Sequence, residues 1–381
     1  MLHIAHDRTL KSYTTFKIGG PAREFVEVST PAELKEALDY ADSHSLNVLV
    51  LGGGSNMLVS DSGYDGLVIH LLNRGIDIME GEETLLRAAS GEVWDDVVRF
   101  AVERELWGIE NLSRIPGQAG AFAVQNVGAY GREANDVIVS VDVFDRTDGT
   151  FKTLTNPDCG FSYRKSIFNT TDRGRYVILS TTIRLSREPM RVLNYPDLQK
   201  VFASNPFPSI REIREAIIKI RDTKFPFPAE SIEGNAGSFF KNSLLDGDEY
   251  RALEATIARV LPDSLERLKS IAKRSSEQTR IKIPTAFILE ISGLKGFGHG
   301  NVQLNPTQPV ILLNKTANAT AKEVLQLVAE VRAIVKTKTG LSLQTEPEMI
   351  GFTDQELSSA GFPTAPASNS PAFSRRGPGG G

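Results

Sequence analysis

Five short segments carry residue types whose spacing could do chemistry. The first is Gly52-Gly53-Gly54-Ser55-Asn56, directly after the apolar run Val48-Leu-Val-Leu51. Consecutive glycines let backbone approach a ligand closely and turn N–H groups towards phosphate oxygens, and Ser55 and Asn56 add side-chain donors. A glycine-rich turn with no ligand accounts for the same residues equally well. The pattern is neither a G-x-G-x-x-G opening a helix nor a glycine loop ending in Lys-Ser/Thr. The second segment runs from Ile115 to Gly131, with Pro116, Gly117, Gln125, Asn126 and Gly128 among small and apolar residues. That mixture suits backbone lying against a flat ligand, or a tightly packed helix and turn.

The third segment, Cys159 to Phe168, sets the phenol of Tyr163 beside the guanidinium of Arg164. A guanidinium matches a carboxylate with two parallel hydrogen bonds, although a lone arginine on a turn is more often a surface group. The fourth, Gly234-Asn-Ala-Gly-Ser-Phe-Phe-Lys-Asn242, places Ser238 between a flexible turn and two aromatics, a setting that could dry a hydroxyl and hold it at a reacting centre. It has no G-x-S-x-G elbow, which argues against a hydrolase nucleophile. The fifth, Thr345-Glu-Pro-Glu-Met-Ile-Gly351, offers Glu346 and Glu348 on a candidate terminal strand.

The elements that must position these groups are legible in the hydrophobic period. Residues 24–29 and 47–51 read as strands flanking a helix that starts at the capping box Thr30-Pro-Ala-Glu33, with Leu34, Ala37, Leu38 and Ala41 on one face. Strands are expected over 67–70, 85–89, 137–145 and 177–185, and a helix over 91–106. Capping boxes at Ser209–Glu212 and Thr320–Glu323 open further helices, the second with the stripe Val324, Leu327, Val328, Val331 and Val335. Prolines cluster over 187–210, which reads as an irregular insertion. Residues 353–381, rich in Pro, Ser, Ala and Gly, read as a disordered tail.

Composition narrows the class. A chain of 381 residues exceeds one typical core, so two or three domains are expected. Its net charge of −4, with both signs interspersed, gives no global field for nucleic acid. One cysteine and five dispersed histidines give no disulfide framework and no expected metal site. No apolar run reaches spanning length and the start lacks a signal-peptide pattern, so a soluble cytoplasmic protein is expected.

Taken in order, GGGSN, the Ile115–Gly131 segment, Tyr163-Arg164-Lys-Ser-Ile-Phe168, GNAGSFFKN and the late Glu-Pro-Glu resemble the UDP-N-acetylenolpyruvoylglucosamine reductase (MurB) family, from about Tyr13 to Gly351. Thr14-Thr15-Phe16 and Gly19-Gly20-Pro21-Ala22 fit its N-terminal pattern. The resemblance implies an α+β protein. Its FAD-binding fold of the vanillyl-alcohol-oxidase (PCMH) type would have two subdomains, 1–70 (with a return strand about 340–352) and 71–221. An α+β substrate-binding domain would follow over 222–339.

It further implies FAD as cofactor, NADPH as co-substrate and a nucleotide-sugar substrate, in peptidoglycan precursor synthesis and hence cell-wall biogenesis, cell shape and division. Gly52, Gly53, Gly54, Ser55 and Asn56 would hold the FAD pyrophosphate, and Pro116, Gly117, Gln125, Asn126 and Gly128 would line the rest. No histidine falls between His44 and His70, so the FAD is expected to be non-covalent. Arg164 and Glu348 would flank the substrate carboxylate, and Ser238 would donate a proton. Tyr163, Tyr195 (in a loop over 187–208), Lys224 and Asn242 would contact substrate. One departure stands out: where many relatives have Gln after the acidic residue, Glu290 is followed by Ile291, so one diphosphate contact is expected to be missing or replaced. An oxidase on the same scaffold and a non-catalytic binding protein are the alternatives. The oxidase would reoxidise rapidly in air without substrate; the binding protein would not be bleached by NADPH.

Overall fold

The computed structural model describes residues 2–224, 227–274 and 280–362. Thr30 accepts from the backbone N–H of Glu33, whose carboxylate accepts from the Thr30 N–H, and Pro31 occupies the first turn of the helix Pro31–Ser43. The predicted face, Leu34, Ala37, Leu38 and Ala41, is buried. This helix joins the strands Pro21–Val28 and Val48–Leu51, but the two are not neighbours: Tyr64–Leu71 inserts between them, parallel to both. Ala5–Thr9 completes a four-stranded sheet on the outer, antiparallel edge. All three parallel strands point their carboxyl ends one way, and Gly52–Asn56 leaves from one of those ends.

A second sheet is wholly antiparallel, in the order Thr150–Thr155, Ile138–Asp145, Tyr176–Leu185, Thr84–Ala89, Ile76–Met79. One face packs on the helices Trp94–Glu103, Ala119–Val124 and Ile210–Lys224, which share a core with it. The Ile115–Gly131 segment is thus partly helical, and its helix buries Ala119, Gly120, Phe122 and Ala123. The helix expected over 91–106 is shorter, Trp94–Glu103, and Glu105 beyond it takes a positive φ of 56°.

The proline-rich insertion is more ordered than its composition suggests. Pro196 starts a short helix to Val201 whose Leu198 is fully buried, and Asn111 Nδ2 donates to Val192 O at 2.9 Å. The stretch after Gly351 also departs from expectation in its first part. Thr353 and Glu356 cap a helix Asp354–Ser359, and Phe362 is buried with Arg332 4.1 Å from its ring centroid. A local capping box outweighed the polar composition there. The rest of the expected tail, 363–381, lies outside the described residues.

The largest core belongs to the C-terminal part, and it recruits Phe16, Ile18 and Leu58 from the first part. The strand Glu348–Ile350 returns to pair in parallel with Met57–Val59, immediately after the glycine loop. The long helix Ala321–Thr339 is fixed to the first part at its start: Asp61 accepts from the N–H groups of Ala321 (2.8 Å) and Lys322 (3.0 Å), beside the Thr320–Glu323 capping box. At its end Gly340 takes a left-handed φ of 77°, a conformation that costs glycine nothing. Among the described residues no helix is long and apolar enough to cross a membrane.

Asp61 therefore satisfies two otherwise free helix donors and faces the positive end of the dipole. Asp61→Ala is expected to cost about 1–2 kcal/mol and to lower the thermal midpoint by about 2–4 °C. An unchanged midpoint in a calorimetric scan would remove this cap from the account of how the two parts are joined.

Candidate active site

The two glycine-bearing segments meet back to back. A Cβ on Gly53 would sit 2.7 Å from Gly117 Cα, and one on Gly117, at φ 121°, would sit 2.7 Å from Ser55 Oγ. Gly54, at φ 57°, passes so close to Tyr13 O that a Cβ would lie 2.0 Å from it. Here the glycines are required by close backbone approach, not by flexibility. Beside them opens a cavity of about 570 Å3 bordered by Tyr13, Thr15, Lys17, Gly52, Gly53 and His70. Such a cradle of exposed backbone with basic and hydroxyl groups at its rim fits the phosphates of the expected FAD. Lys17 is engaged with the carbonyls of Ser231 and Ile232, and His70 lies 3.3 Å from Glu27.

Asn56 ties this loop to its surroundings. Its Nδ2 donates to Gln125 Oε1 and, at 3.4 Å, to Glu346 O. Asn126, fully buried with φ 46°, turns inward. It accepts from Asn135 N, and it donates to Glu133 Oε2 and to Ser162 O. Its side chain shapes the turn and offers nothing to a ligand. Pro116 and Gly128 lie half-buried on the same segments, and Gly128 contributes its carbonyl to Arg164.

Arg164 sits in a tight turn closed by reciprocal bonds between Ser162 and Lys165, and it adopts φ 56°, a left-handed value unfavourable for a residue with a long side chain. Its Nη2 donates to Gly128 O at 2.9 Å and its Nη1 to Asn126 O at 3.4 Å. Its Nε lies 3.0 Å from Glu346 Oε1, a mostly buried ion pair.

Of the two glutamates, then, the structure brings Glu346 to Arg164, not Glu348. Backbone register decides this. Glu346 N donates to Phe239 O, Lys241 N to Gln344 O, and Glu348 N to Asn56 O. Glu346 is 11% exposed, whereas Glu348 is 36% exposed and lies 3.4 Å from Arg173 at the rim. Burial raises the Glu346 pKa, and Arg164, Lys241 and Lys282 pull it back down.

Ser238 stands on the segment next to Glu346. Gly237 before it is at φ 69°, with its N–H bonded to Asn235 Oδ1, and Phe239 N donates to Val310 O at 2.7 Å. Phe239 and Phe240 are fully buried in the C-terminal core while Ser238 is exposed, so the aromatics anchor the serine from below and do not dry it. Asn242 donates to Tyr163 Oη at 3.4 Å and accepts from Thr285 N at 3.1 Å, a second bridge between the Arg164 turn and the C-terminal part. Lys282 Nζ lies 4.7 Å from the Tyr163 ring centroid. Glu346, Lys241 and Lys282 were not assigned from sequence. The first two lie inside recognised motifs, but Lys282 carries no local signal.

Tyr195 and Lys224 form a separate group. Tyr195 packs edge-on against Tyr130 at 5.0 Å, and Lys224 Nζ pairs with Asp197 at 2.7 Å. Ile291 ends the helix Thr285–Ile291 and packs against the apolar core, so no polar contact comes from it. Cys159 is buried, which pushes its thiol up to about 12 and leaves it inert. Among the described residues no group of three or more His, Cys, Asp or Glu side chains could hold a metal ion.

The tight contact of the two glycine segments yields a sharp expectation. Gly53→Ala must force Gly117 backbone away, an overpacking worth about 1–3 kcal/mol, so FAD retention should fall by roughly tenfold or more. Gly52→Ala, whose Cβ comes no closer than 3.2 Å to its neighbours, at the Gln118 side chain, should lose far less. Flavin fluorescence released on gel filtration measures both, and equal retention in the two variants would refute the placement.

Known proteins bear on this geometry. A sequence profile for an FAD binding domain matches residues 22–155, and one for the UDP-N-acetylenolpyruvoylglucosamine reductase C-terminal domain matches 228–350. The chain is 35% identical over 355 residues to the UDP-N-acetylenolpyruvoylglucosamine reductase of Neisseria meningitidis, covering 92% of this chain and 98% of that one. It is 37% identical to the protein of that name from Amoebophilus asiaticus, over 90% and 97% of the two chains. A crystal structure of the Thermus caldophilus reductase shares the fold, with a TM-score of 0.63 at 24% identity, covering 92% of this chain and 99% of that one. With the glycine cradle, the Arg164 turn and the Ser238 segment meeting as described, the chain belongs to the UDP-N-acetylenolpyruvoylglucosamine reductase family.

Proposed function

We propose that the protein binds FAD non-covalently and uses NADPH to reduce UDP-N-acetylglucosamine enolpyruvate to UDP-N-acetylmuramate, in the cytoplasm, as a step of peptidoglycan precursor synthesis. The observation that carries this reading is the convergence of Arg164 with the Ser238 segment beside the glycine cradle. FAD, when bound, supplies the two-electron relay between NADPH and the alkene. Gly52–Asn56 and the Pro116–Gly117 turn would hold it, with Gln125 and Gly128 nearby.

The substrate carbon–carbon double bond is conjugated to a carboxylate. Addition of a hydride equivalent at its terminal carbon moves charge towards that carboxylate as an enolate. Arg164 is the group suited to stabilise this charge, because its guanidinium is mostly buried and held by Asn126 O, Gly128 O and Glu346, and a fixed cation needs no reorganisation as charge develops. Ser238 then gives its proton to the carbon next to the carboxylate, completing addition of one hydride and one proton across the bond. A serine hydroxyl is a weak acid, but an enolate of this kind is a strong base, so the transfer is feasible at a positioned hydroxyl. Substrate must supply the cover that the protein alone does not give Ser238.

Glu348, on the rim beside Asn56, is paired with Arg173 and stands outside the Arg164 contact that the resemblance implied for it. Tyr163 and Asn242 would line the sugar side, and Tyr195 and Lys224 the diphosphate side. Lys224 must leave Asp197 to meet phosphate.

Ser238→Ala separates the two half-reactions. In anaerobic stopped flow, NADPH should bleach the flavin of the variant within about twofold of the normal rate. Reoxidation by the enolpyruvyl substrate should fall by more than about 100-fold, the scale of a lost general acid. Normal reoxidation by substrate would remove Ser238 as proton donor, and fast reoxidation by oxygen alone would point to an oxidase.

A further inference from the structure

We propose that Arg114 is a positioning residue for the cofactor, holding the turn Pro228–Glu230 as one wall of the cavity beside the glycine loop. The proposal rests on the placement of FAD in that cavity and concerns a side chain just outside the Ile115–Gly131 segment.

Arg114 stands where one residue can set two walls. Its backbone is pinned within the part built on the antiparallel sheet. The N–H donates to Asp95 Oδ1, and the carbonyl accepts from Arg221 Nε at 3.0 Å. These bonds help to hold φ at 63°, a left-handed value unfavourable for arginine. Asp95 is itself gripped by the Arg214 guanidinium through two bonds of 2.7 and 2.9 Å. Three residues on, Gly117 lies against Gly53 and Ser55 of the glycine loop. The Arg114 backbone therefore steadies the segment that closes on that loop.

The Arg114 side chain holds a different stretch. Its Nη1 and Nη2 donate to the two Glu230 oxygens at 2.8 and 2.6 Å, a parallel fork, and its Nε lies 3.3 Å from Asp222. The centre of the guanidinium lies 4.3 Å from the Phe227 ring centroid. Between these two contacts, Pro228 and Ala229 border the same cavity as Gly52 and Gly53. The far end of the stretch is tied to the first part of the chain. Lys17 Nζ donates to the carbonyls of Ser231 and Ile232, and Thr15 exchanges bonds with Asn235. Of Phe227–Ile232 only Pro228 is buried, and Ile232 is 72% exposed, so polar contacts at its two ends hold the stretch more than apolar packing does. Glu230 is exposed, which makes its pair with Arg114 modest, but a bidentate fork is the geometry in which such a pair counts. Without the fork the Pro228–Ala229 wall is loosened and FAD leaves sooner.

The test follows FAD leaving the loaded full chain, read as the rise in flavin fluorescence on dilution. Glu230→Gln and Arg114→Lys should each speed release by about three- to fivefold, the scale of one partly exposed bidentate pair. Lysine keeps the charge and loses the fork. The double variant should be no more than about twofold faster than the quicker single variant, because both remove one contact. Unchanged release, or fully additive effects, overturns the proposal. The thermal midpoint of the FAD-free protein should not move in Glu230→Gln; a fall there would make the pair merely structural and overturn it too. Ala229→Cys separates this from the placement of FAD. Cys159 is buried and inert, so a thiol reagent reports on position 229. FAD should slow that labelling by about three- to tenfold, the shielding an occupied pocket gives its wall, and Glu230→Gln should restore part of the lost rate. Equal labelling with and without FAD overturns the placement and this proposal with it. Protection by FAD that Glu230→Gln leaves intact overturns the proposal alone.

Discussion

The Arg164–Glu346 contact is the point on which the rest of the site depends, because it is where three distant stretches of chain are tied together. Arg164 comes from the connection between two strands of the antiparallel sheet, Thr150–Thr155 and Tyr176–Leu185. Glu346 comes from the last strand segment, and its backbone is bonded both to the Ser238 segment and to the glycine loop. None of these stretches could fix a reacting group against the others by local structure alone. An ion pair that is mostly withdrawn from water is effective here because low exposure strengthens it, and costly to break because either partner alone would be a buried, unpaired charge.

The same seam explains why the fold is assembled as it is. The return of Glu348–Ile350 to pair with Met57–Val59 closes the chain on itself next to the glycine loop. The Asp61 cap fixes the long helix to the same edge. Phe16, Ile18 and Leu58 enter the C-terminal core from the first part. The cofactor cradle and the serine segment are therefore held by backbone ladders and shared apolar packing, and small ligand-facing groups need only be carried on that frame. This division of labour also accounts for the strained φ at Arg164: surrounding packing over-determines a turn that an isolated peptide would avoid.

What could be read from the sequence follows the range of the interactions involved. The helix starts at Thr30 and Thr320 were legible because a capping box is complete within four residues, and Glu33 and Glu323 make the expected bonds. The glycine loop was legible because close approach demands glycine whatever the partner. The insertion of Tyr64–Leu71 between two strands joined by one helix was not, since pairing partners in a parallel sheet are set by packing over long separations. The helix Asp354–Ser359 is obscured by the polar composition of the stretch around it, although its cap, Thr353 with Glu356, is complete within four residues. The Glu346–Arg164 pairing was beyond sequence reasoning altogether. Two glutamates separated by one proline are equivalent by type, and only the register against Phe239 and Asn56 distinguishes them.

That register bears on how a chain with a net charge of −4 receives an anionic ligand. The cations must be local, and gathering Arg164, Lys241 and Lys282 in a half-buried place is unfavourable while the site is empty, as burial lowering the Lys241 pKa indicates. One carboxylate among them relieves that repulsion without bringing the cluster to neutrality. Two carboxylates would neutralise most of it and oppose the substrate. Glu346 lies inside and Glu348 outside against Arg173, so one counter-charge stands among the three cations. The spacing of the two glutamates across Pro347 thus does more than supply acidic residues near the end of the chain. It divides them between a buried position among the cations and one at the rim where solvent and Arg173 share the charge.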